Sequence, residues 1–99
     1  MRESEIEKKL VALVQARGGL ARKFTSPNQK GVPDRIVIWY GGEIHFIEVK
    51  RSDGKLTGLQ KLEQEKLETR GCTVLTLYGI AGVKEYITAI DGLFFKKAS

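Results

Sequence analysis

The alternation of apolar and polar residues predicts a β-hairpin in the middle of the chain. The two strand-like runs are residues 34–40 (DRIVIWY) and 43–50 (EIHFIEVK), and Gly41-Gly42 joins them. Two such runs on either side of a glycine pair are typical of a hairpin. Side chains two apart in a strand share a face, so Glu48 and Lys50 must point to the same side of the ribbon.

The length of the hairpin loop decides whether Asp34 joins that face, because a slip of one residue turns a whole strand over. A two-residue loop pairs Asp34 with Val49 and offers an Arg35–Glu48 ion pair instead. A three-residue loop over residues 40–42 pairs Asp34 with Glu48. We prefer the three-residue loop, because it produces one apolar stripe that ends in two carboxylates.

Apolar residues at helical spacing predict three helices outside the hairpin. The first has Ser4 and Glu7 at the spacing of a capping box and runs to Gly18-Gly19. The second opens at Thr57, with Gln60 in the matching capping position, and the third covers residues 82–90.

Two further strands complete the predicted sheet. Residues 20–24 alternate as a short strand, and residues 72–78 (CTVLTLY) are rich in strand-forming residues. Because a helix separates residues 43–50 from residues 72–78, those two strands should form a right-handed parallel crossover unit. The fold class is therefore α/β, a small mixed β-sheet flanked by helices in the order α-β-β-β-α-β-α. Residues 1–99 form one domain, and ligands of such folds gather at strand ends.

Charge and composition narrow the function classes. The chain of 99 residues carries a net charge of +5 and a pI near 9.5, which favours an anionic partner such as nucleic acid. There is no apolar run long enough to cross a membrane and no signal-peptide pattern at the start. We expect a protein that works inside a cell. A phage-encoded protein that acts in a bacterial host would also meet this expectation. Cys72 lies in an apolar run and should be a buried thiol.

The carboxylates at the end of the hairpin form a candidate metal site. Mg²⁺ prefers oxygen ligands and keeps several waters. Asp34 and Glu48 would supply two carboxylates and the Val49 carbonyl a third oxygen, leaving positions for water and a phosphate oxygen. Lys50 would orient an attacking water or neutralise charge on the phosphate. The structural alternative is that Glu48 and Lys50 form a surface ion pair of little energetic weight.

The order of these residues resembles a known nuclease signature. Pro33-Asp34, thirteen intervening residues and Glu48-Val49-Lys50 look like the PD-(D/E)xK pattern, whose core is restriction-endonuclease-like. Glu5 in the first helix, the GVPDR run at 31–35 and Gln60 in the second helix are similar to the VRR-NUC branch of that superfamily.

The resemblance implies a role for each matched residue. Asp34 and Glu48 would ligate Mg²⁺ or Mn²⁺ and Lys50 would assist the nucleophilic water, while Glu5 and Gln60 would line the same site. From the residues alone, Glu5 could instead stabilise the helix dipole and Gln60 could cap its helix. The arginines that follow the lysine in this branch are kept only in part, as Arg51 followed by Ser52.

The resemblance further implies a Holliday-junction-resolvase-like endonuclease that acts on branched DNA as a homodimer. Two alternative functions stay open: a non-catalytic nucleic-acid-binding module, and a flap or restriction-type nuclease. We read His45 as structural and Trp39 as a core residue, although Trp39 is also a candidate for the dimer surface with the first helix and residues 93–95. The basic side chains expected to hold DNA phosphates are Lys23, Lys30, Arg35, Arg51 and Lys55.

Overall fold

Residues 1–94, which the computed structural model describes, form three helices and four strands. The elements are α1 (Glu3–Ala16), β1 (Leu20–Lys23), β2 (Arg35–Ile38), β3 (Ile44–Lys50), α2 (Gly58–Thr69), β4 (Thr73–Tyr78) and α3 (Gly79–Phe94). The predicted order and the mixed α/β class are confirmed. Phe95, one of the predicted dimer residues, lies outside the described residues.

The four strands pair in the order β1-β2-β3-β4. The β1–β2 and β2–β3 pairs are antiparallel, and β4 is parallel to β3, as expected when a helix connects two strands. β2 and β3 pair Ile36 with Phe46 and Ile38 with Ile44, which is the register of the three-residue loop. Gly41 and Gly42 both have positive φ angles, of 91° and 81°, which glycine adopts without strain.

The core lies between the sheet and the pair of helices α1 and α3. Odd-numbered strand residues face these helices, so that Val37, Ile47 and Val49 are buried. The helices contribute the remaining core side chains, among them Ile6, Leu10, Val14, Val83, Ile87 and Ile90. The even-numbered strand residues therefore face the other side of the sheet, where α2 lies and where the predicted site belongs.

A buried polar network confirms the structural interpretation of His45 and Trp39. The indole N–H of Trp39 donates to the hydroxyl of Tyr86 at 3.0 Å, and that hydroxyl lies 2.6 Å from Nδ1 of His45. Nε2 of His45 lies 3.3 Å from the Glu43 carboxylate. Trp39 is 3% exposed, so it belongs to the core and not to an open dimer surface.

Several local predictions need correction. α1 begins at Glu3 with Arg2 as its N-cap, so Ser4 is inside the helix and does not cap it. α3 begins at Gly79, earlier than predicted, because the chain turns directly from β4 into the helix. Cys72 is half-buried and not fully buried as predicted, and it directly precedes β4. Among residues 1–94, no helix is both long enough and apolar enough to traverse a lipid bilayer.

Candidate active site

Asp34 and Glu48 meet at one end of the sheet. Asp34 directly precedes β2, and the observed register continues to place it opposite Glu48. Oδ2 of Asp34 accepts a hydrogen bond of 2.9 Å from the backbone N–H of Val49, which fixes the carboxylate against β3. Glu48 is buried, with 3% of its surface exposed, and its carboxyl is hydrogen-bonded to that of Asp34. The structure thus brings together the two residues on which the predicted site depends.

Each of the two carboxyl groups disfavours the ionisation of the other. Burial raises the pKa of Glu48 to about 8, and the charge of Asp34 adds to this rise while Lys50 opposes it. Burial also raises the pKa of Asp34, although the Val49 N–H bond works in the other direction. Like charges at such short range cannot both ionise freely. The pair therefore shares one proton near neutral pH, carried by Glu48.

Lys50 and Gln60 both approach the carboxylate of Glu48. Nζ of Lys50 lies 3.8 Å from Oε2 of Glu48, and Nε2 of Gln60 donates a hydrogen bond of 3.1 Å to the same oxygen. Gln60 also completes the predicted capping box, because its Oε1 accepts from the Thr57 N–H at 2.9 Å. The side chain of Gln60 thus caps its helix and contacts Glu48 at the same time, as a cap whose side chain also turns inward would, and its role in the reaction stays a prediction.

Gly31 explains how the loop before Asp34 reaches α2. Its φ is +89°, and a Cβ built at this position would lie 2.7 Å from the carbonyl oxygen of Leu59 and 3.1 Å from the backbone nitrogen of Gln60. Only glycine fits this approach without displacing backbone. The loop that carries Asp34 is thereby packed directly against the first turn of the helix that carries Gln60.

The contact that the structure shows for Glu5 is at the N-terminus of its own helix, and its role at the site stays a prediction. Its carboxylate accepts a hydrogen bond of 2.9 Å from the N–H of Arg2, which caps α1, and its side chain is half exposed. Two other acids of α1 contribute weakly to the electrostatics of the site: the charge of Glu3 adds to the raised pKa of Glu48, and that of Glu7, which is paired with Arg35 and Lys23, adds to the raised pKa of Asp34. Their four-residue spacing places them on one side of the helix and Glu5 on the other.

The predicted phosphate contacts divide into two groups. Nε of Arg35 lies 2.6 Å from the Glu7 carboxylate and Nζ of Lys23 lies 3.5 Å from it, so Arg35 faces α1 and is not free to meet a phosphate. The side chain of Lys23 is still largely exposed. The remaining members, Lys30, Arg51 and Lys55, are exposed on the loops that surround the carboxylate pair.

The donor set suits a hard divalent cation that takes part of its coordination from outside the protein. No group of three or more His, Cys, Asp or Glu residues within positions 1–94 forms a complete metal-binding cluster. One buried and one half-buried carboxylate that repel each other are nevertheless the oxygen donors that Mg²⁺ and Mn²⁺ prefer, and waters and substrate commonly fill the other positions. Asp34 and Glu48 therefore fit such an ion, while the Val49 carbonyl stays a prediction.

The fold and the site together define a class of protein. A small mixed sheet with helices on both faces presents an aspartate at the start of one strand and a glutamate and lysine at the end of its neighbour. This is the arrangement of the PD-(D/E)xK nucleases.

Comparison with known proteins agrees with this class. The chain is 44% identical over 77 residues to "Putative nuclease p44" of Acyrthosiphon pisum secondary endosymbiont phage 1, a match that spans 78% of this chain and 83% of the relative. A solved structure described as a VRR_NUC domain superposes with a TM-score of 0.82 at 32% identity, over 87% of this chain and 94% of that one. A second solved structure, described as a VRR_NUC domain protein, superposes with a TM-score of 0.68 at 23% identity, over 94% of this chain and 90% of that one. This likeness supports the fold alone. No protein-family model matches the sequence. The chain belongs to the VRR-NUC family of nucleases.

Proposed function

We propose that this protein is a Mg²⁺- or Mn²⁺-dependent DNA endonuclease that cuts branched DNA, in the manner of a Holliday-junction resolvase, and acts as a homodimer. The observation that carries the proposal is the contact between the half-buried carboxyl of Asp34 and the buried carboxyl of Glu48, with the Lys50 amine 3.8 Å from Glu48. Family membership and the nuclease named among its relatives support the general activity.

The reaction is the hydrolysis of a phosphodiester. A water oxygen forms a bond to phosphorus, one P–O ester bond breaks, and the departing oxygen takes up a proton. When bound, Mg²⁺ or Mn²⁺ would polarise the phosphate and lower the pKa of a water, which is the usual contribution of such ions.

The side chains of the site have separable tasks in this scheme. Asp34 and Glu48 would hold the cation, and Asp34 is already oriented by the Val49 N–H. Gln60 fixes the Glu48 carboxylate by its 3.1 Å hydrogen bond. Lys50 is 8% exposed, so its amine is confined near the carboxylates, where it can hold the attacking water and offset charge that develops on the phosphate.

DNA as the substrate is supported by charge. The chain carries a net charge of +5, and the exposed basic residues Lys23, Lys30, Arg51 and Lys55 lie on the loops and strand ends near the site. Contacts of this kind bind phosphates and carry little sequence information. We therefore expect recognition of DNA shape more than of base sequence.

The homodimer is supported by symmetry and by exposed apolar surface. Resolving a four-way junction needs two cuts, and a domain with one site achieves this most simply as a two-fold pair. Leu93 is 74% exposed at the end of α3, and Leu20 and Ile44 are about half exposed on the sheet. Leu20 and Ile44 are both paired with Ile38, so their side chains form one apolar patch, and contiguous exposed apolar surface is typical of sites that bind another protein.

The test is a substrate panel measured beside the mass in solution. Four-way, flap, splayed and linear DNA are incubated with Mg²⁺, Mn²⁺ or EDTA, and light scattering gives the mass of the protein. Asp34→Asn removes one proposed ligand charge, and Glu65→Gln on the exposed surface of α2 is the matched control. We expect cleavage only with metal, fastest on the four-way junction, lost in Asp34→Asn and kept in the control.

Each alternative has its own outcome in this experiment. DNA binding without cleavage under any metal would indicate a non-catalytic binding module. Equal cutting of all four substrates would contradict junction selectivity, and faster cutting of the flap would indicate a trimming nuclease. A monomer mass at concentrations that support cleavage would contradict the dimer.

A further inference from the structure

Tyr78 lies beside the proposed site although the sequence pattern did not point to it. The parallel ladder between β3 and β4 pairs Lys50 with Tyr78 and Glu48 with Thr76. Paired residues in a ladder place their side chains on the same face as neighbours. Tyr78 therefore stands next to the proposed water-orienting lysine, at the same end of the sheet as the carboxylates.

The tyrosine is available for a ligand. It is 41% exposed, and its hydroxyl makes no hydrogen bond to any residue in the described part of the chain. The hydroxyl of Thr76, two residues earlier on the same face of β4, is by contrast engaged, since it accepts a hydrogen bond of 2.9 Å from Gln64. An exposed aromatic ring at the edge of a buried polar site offers both a stacking surface and a polar tip.

Tyr78 forms one wall of a cavity of about 420 Å³. The cavity extends from the ends of β3 and β4 toward the start of α1, and its lining combines polar Arg51 and Ser52 with apolar Ile6 and Ile80. This volume is within the range of small-molecule sites, about 300–1,000 Å³. Its aromatic, apolar and basic groups match the base, sugar and phosphate of a nucleotide, and Asp53, which also lines it, is the partner that Arg51 would release.

Arg51 can turn toward a ligand in this cavity. Its partner is Asp53, at 3.3 Å, and both side chains are more than half exposed. Exposed ion pairs of this kind hold a side chain only weakly, by about 0–1 kcal/mol. A DNA phosphate could therefore replace Asp53 as the partner of the guanidinium.

We infer that the cavity is a subsite for one unpaired nucleotide next to the phosphate that is cut, with the base stacked on Tyr78 and a phosphate held by Arg51. The inference rests on the proposed function for the position of the cut. A base in an intact duplex cannot enter a cavity of this kind, so the subsite favours DNA whose strands separate near the cut. It thereby supplies a physical reason for selection of branched substrates.

The test measures stacking without cleavage. A splayed duplex carries 2-aminopurine at successive positions on either side of the branch, and the wild-type protein binds it in EDTA while anisotropy reports the affinity. Stacking on an aromatic ring quenches 2-aminopurine. We expect quenching at one or two adjacent positions, its retention in Tyr78→Phe and its loss in Tyr78→Leu, with an affinity about 5- to 150-fold lower in the latter.

Tyr40→Leu is the matched control, because Tyr40 is 80% exposed at the hairpin tip, at the other end of β3 from Lys50. Circular dichroism verifies that each variant folds. Binding without quenching at any position, or quenching that Tyr78→Leu leaves intact, would overturn the inference. Quenching by a protein that cuts none of the panel substrates would leave the subsite standing and refute the proposed activity.

Discussion

The shared proton of the carboxylate pair predicts that replacing Glu48 by glutamine stabilises the metal-free protein at high pH. Burial, together with the charge of Asp34, raises the pKa of Glu48 from 4.5 to about 8. A raised pKa in the folded state means that the proton contributes stability below about pH 4.5, and that this contribution is lost as the pH rises to about 8. Glutamine keeps a neutral group of the same shape at every pH, so Glu48→Gln avoids this loss.

The size of the effect follows from the pKa. At about 1.4 kcal/mol for each pKa unit, a rise from 4.5 to about 8 sets an upper bound of about 5 kcal/mol on the cost of ionising Glu48. Local rearrangement around the new charge relieves part of this cost. We therefore expect the free energy of unfolding of Glu48→Gln to exceed that of the wild type by about 2 kcal/mol at about pH 9. Near pH 5 the wild-type carboxyl is protonated and resembles the amide, so the difference should be close to zero.

The assay is urea unfolding followed by circular dichroism, in EDTA, at about pH 5 and about pH 9. The variant and the wild type are compared by the difference in their free energies of unfolding, because the titration of all other groups then cancels. Glu65→Gln on the exposed surface of α2 is the control and should show no difference at either pH. A Glu48→Gln variant that is less stable than wild type at about pH 9 would refute the reasoning.

Three further predictions follow from the same contacts. Lys50→Ala should lower the cleavage rate by about 100- to 1,000-fold while Mg²⁺ binding measured by calorimetry persists, and an unimpaired rate would remove Lys50 from the mechanism. Gly31→Ala should destabilise the fold by about 1–3 kcal/mol in urea unfolding, because its Cβ would lie 2.7 Å from a backbone oxygen. Gly58→Ala, where a Cβ meets nothing within 4 Å, should not. Tyr86→Phe should cost about 1–3 kcal/mol by the same assay, since it removes the hydroxyl bonded to two buried side chains, and an unchanged midpoint would contradict this.

The sequence alone determined the order of the elements and the core of the site. Strand periodicity placed Glu48 and Lys50 on one face, and the two glycines of the hairpin allowed the loop that brings Asp34 to the same face. These are local properties, because the period of a strand and the φ angle of a glycine depend little on the rest of the fold. The resemblance to VRR-NUC proteins rested on the same residues.

Only the tertiary structure decided how α1 and the end of β4 meet the site. Which side of a helix faces a carboxylate depends on how the whole helix packs, so the sequence left both roles of Glu5 open, and the structure shows its hydrogen bond from the Arg2 N–H. Arg35 follows Asp34 directly in the sequence, yet alternation in the strand turns it toward Glu7 on the far face. Tyr78 became a neighbour of Lys50 through a parallel pairing that spans a helix, because contacts between distant segments form only when the chain is folded.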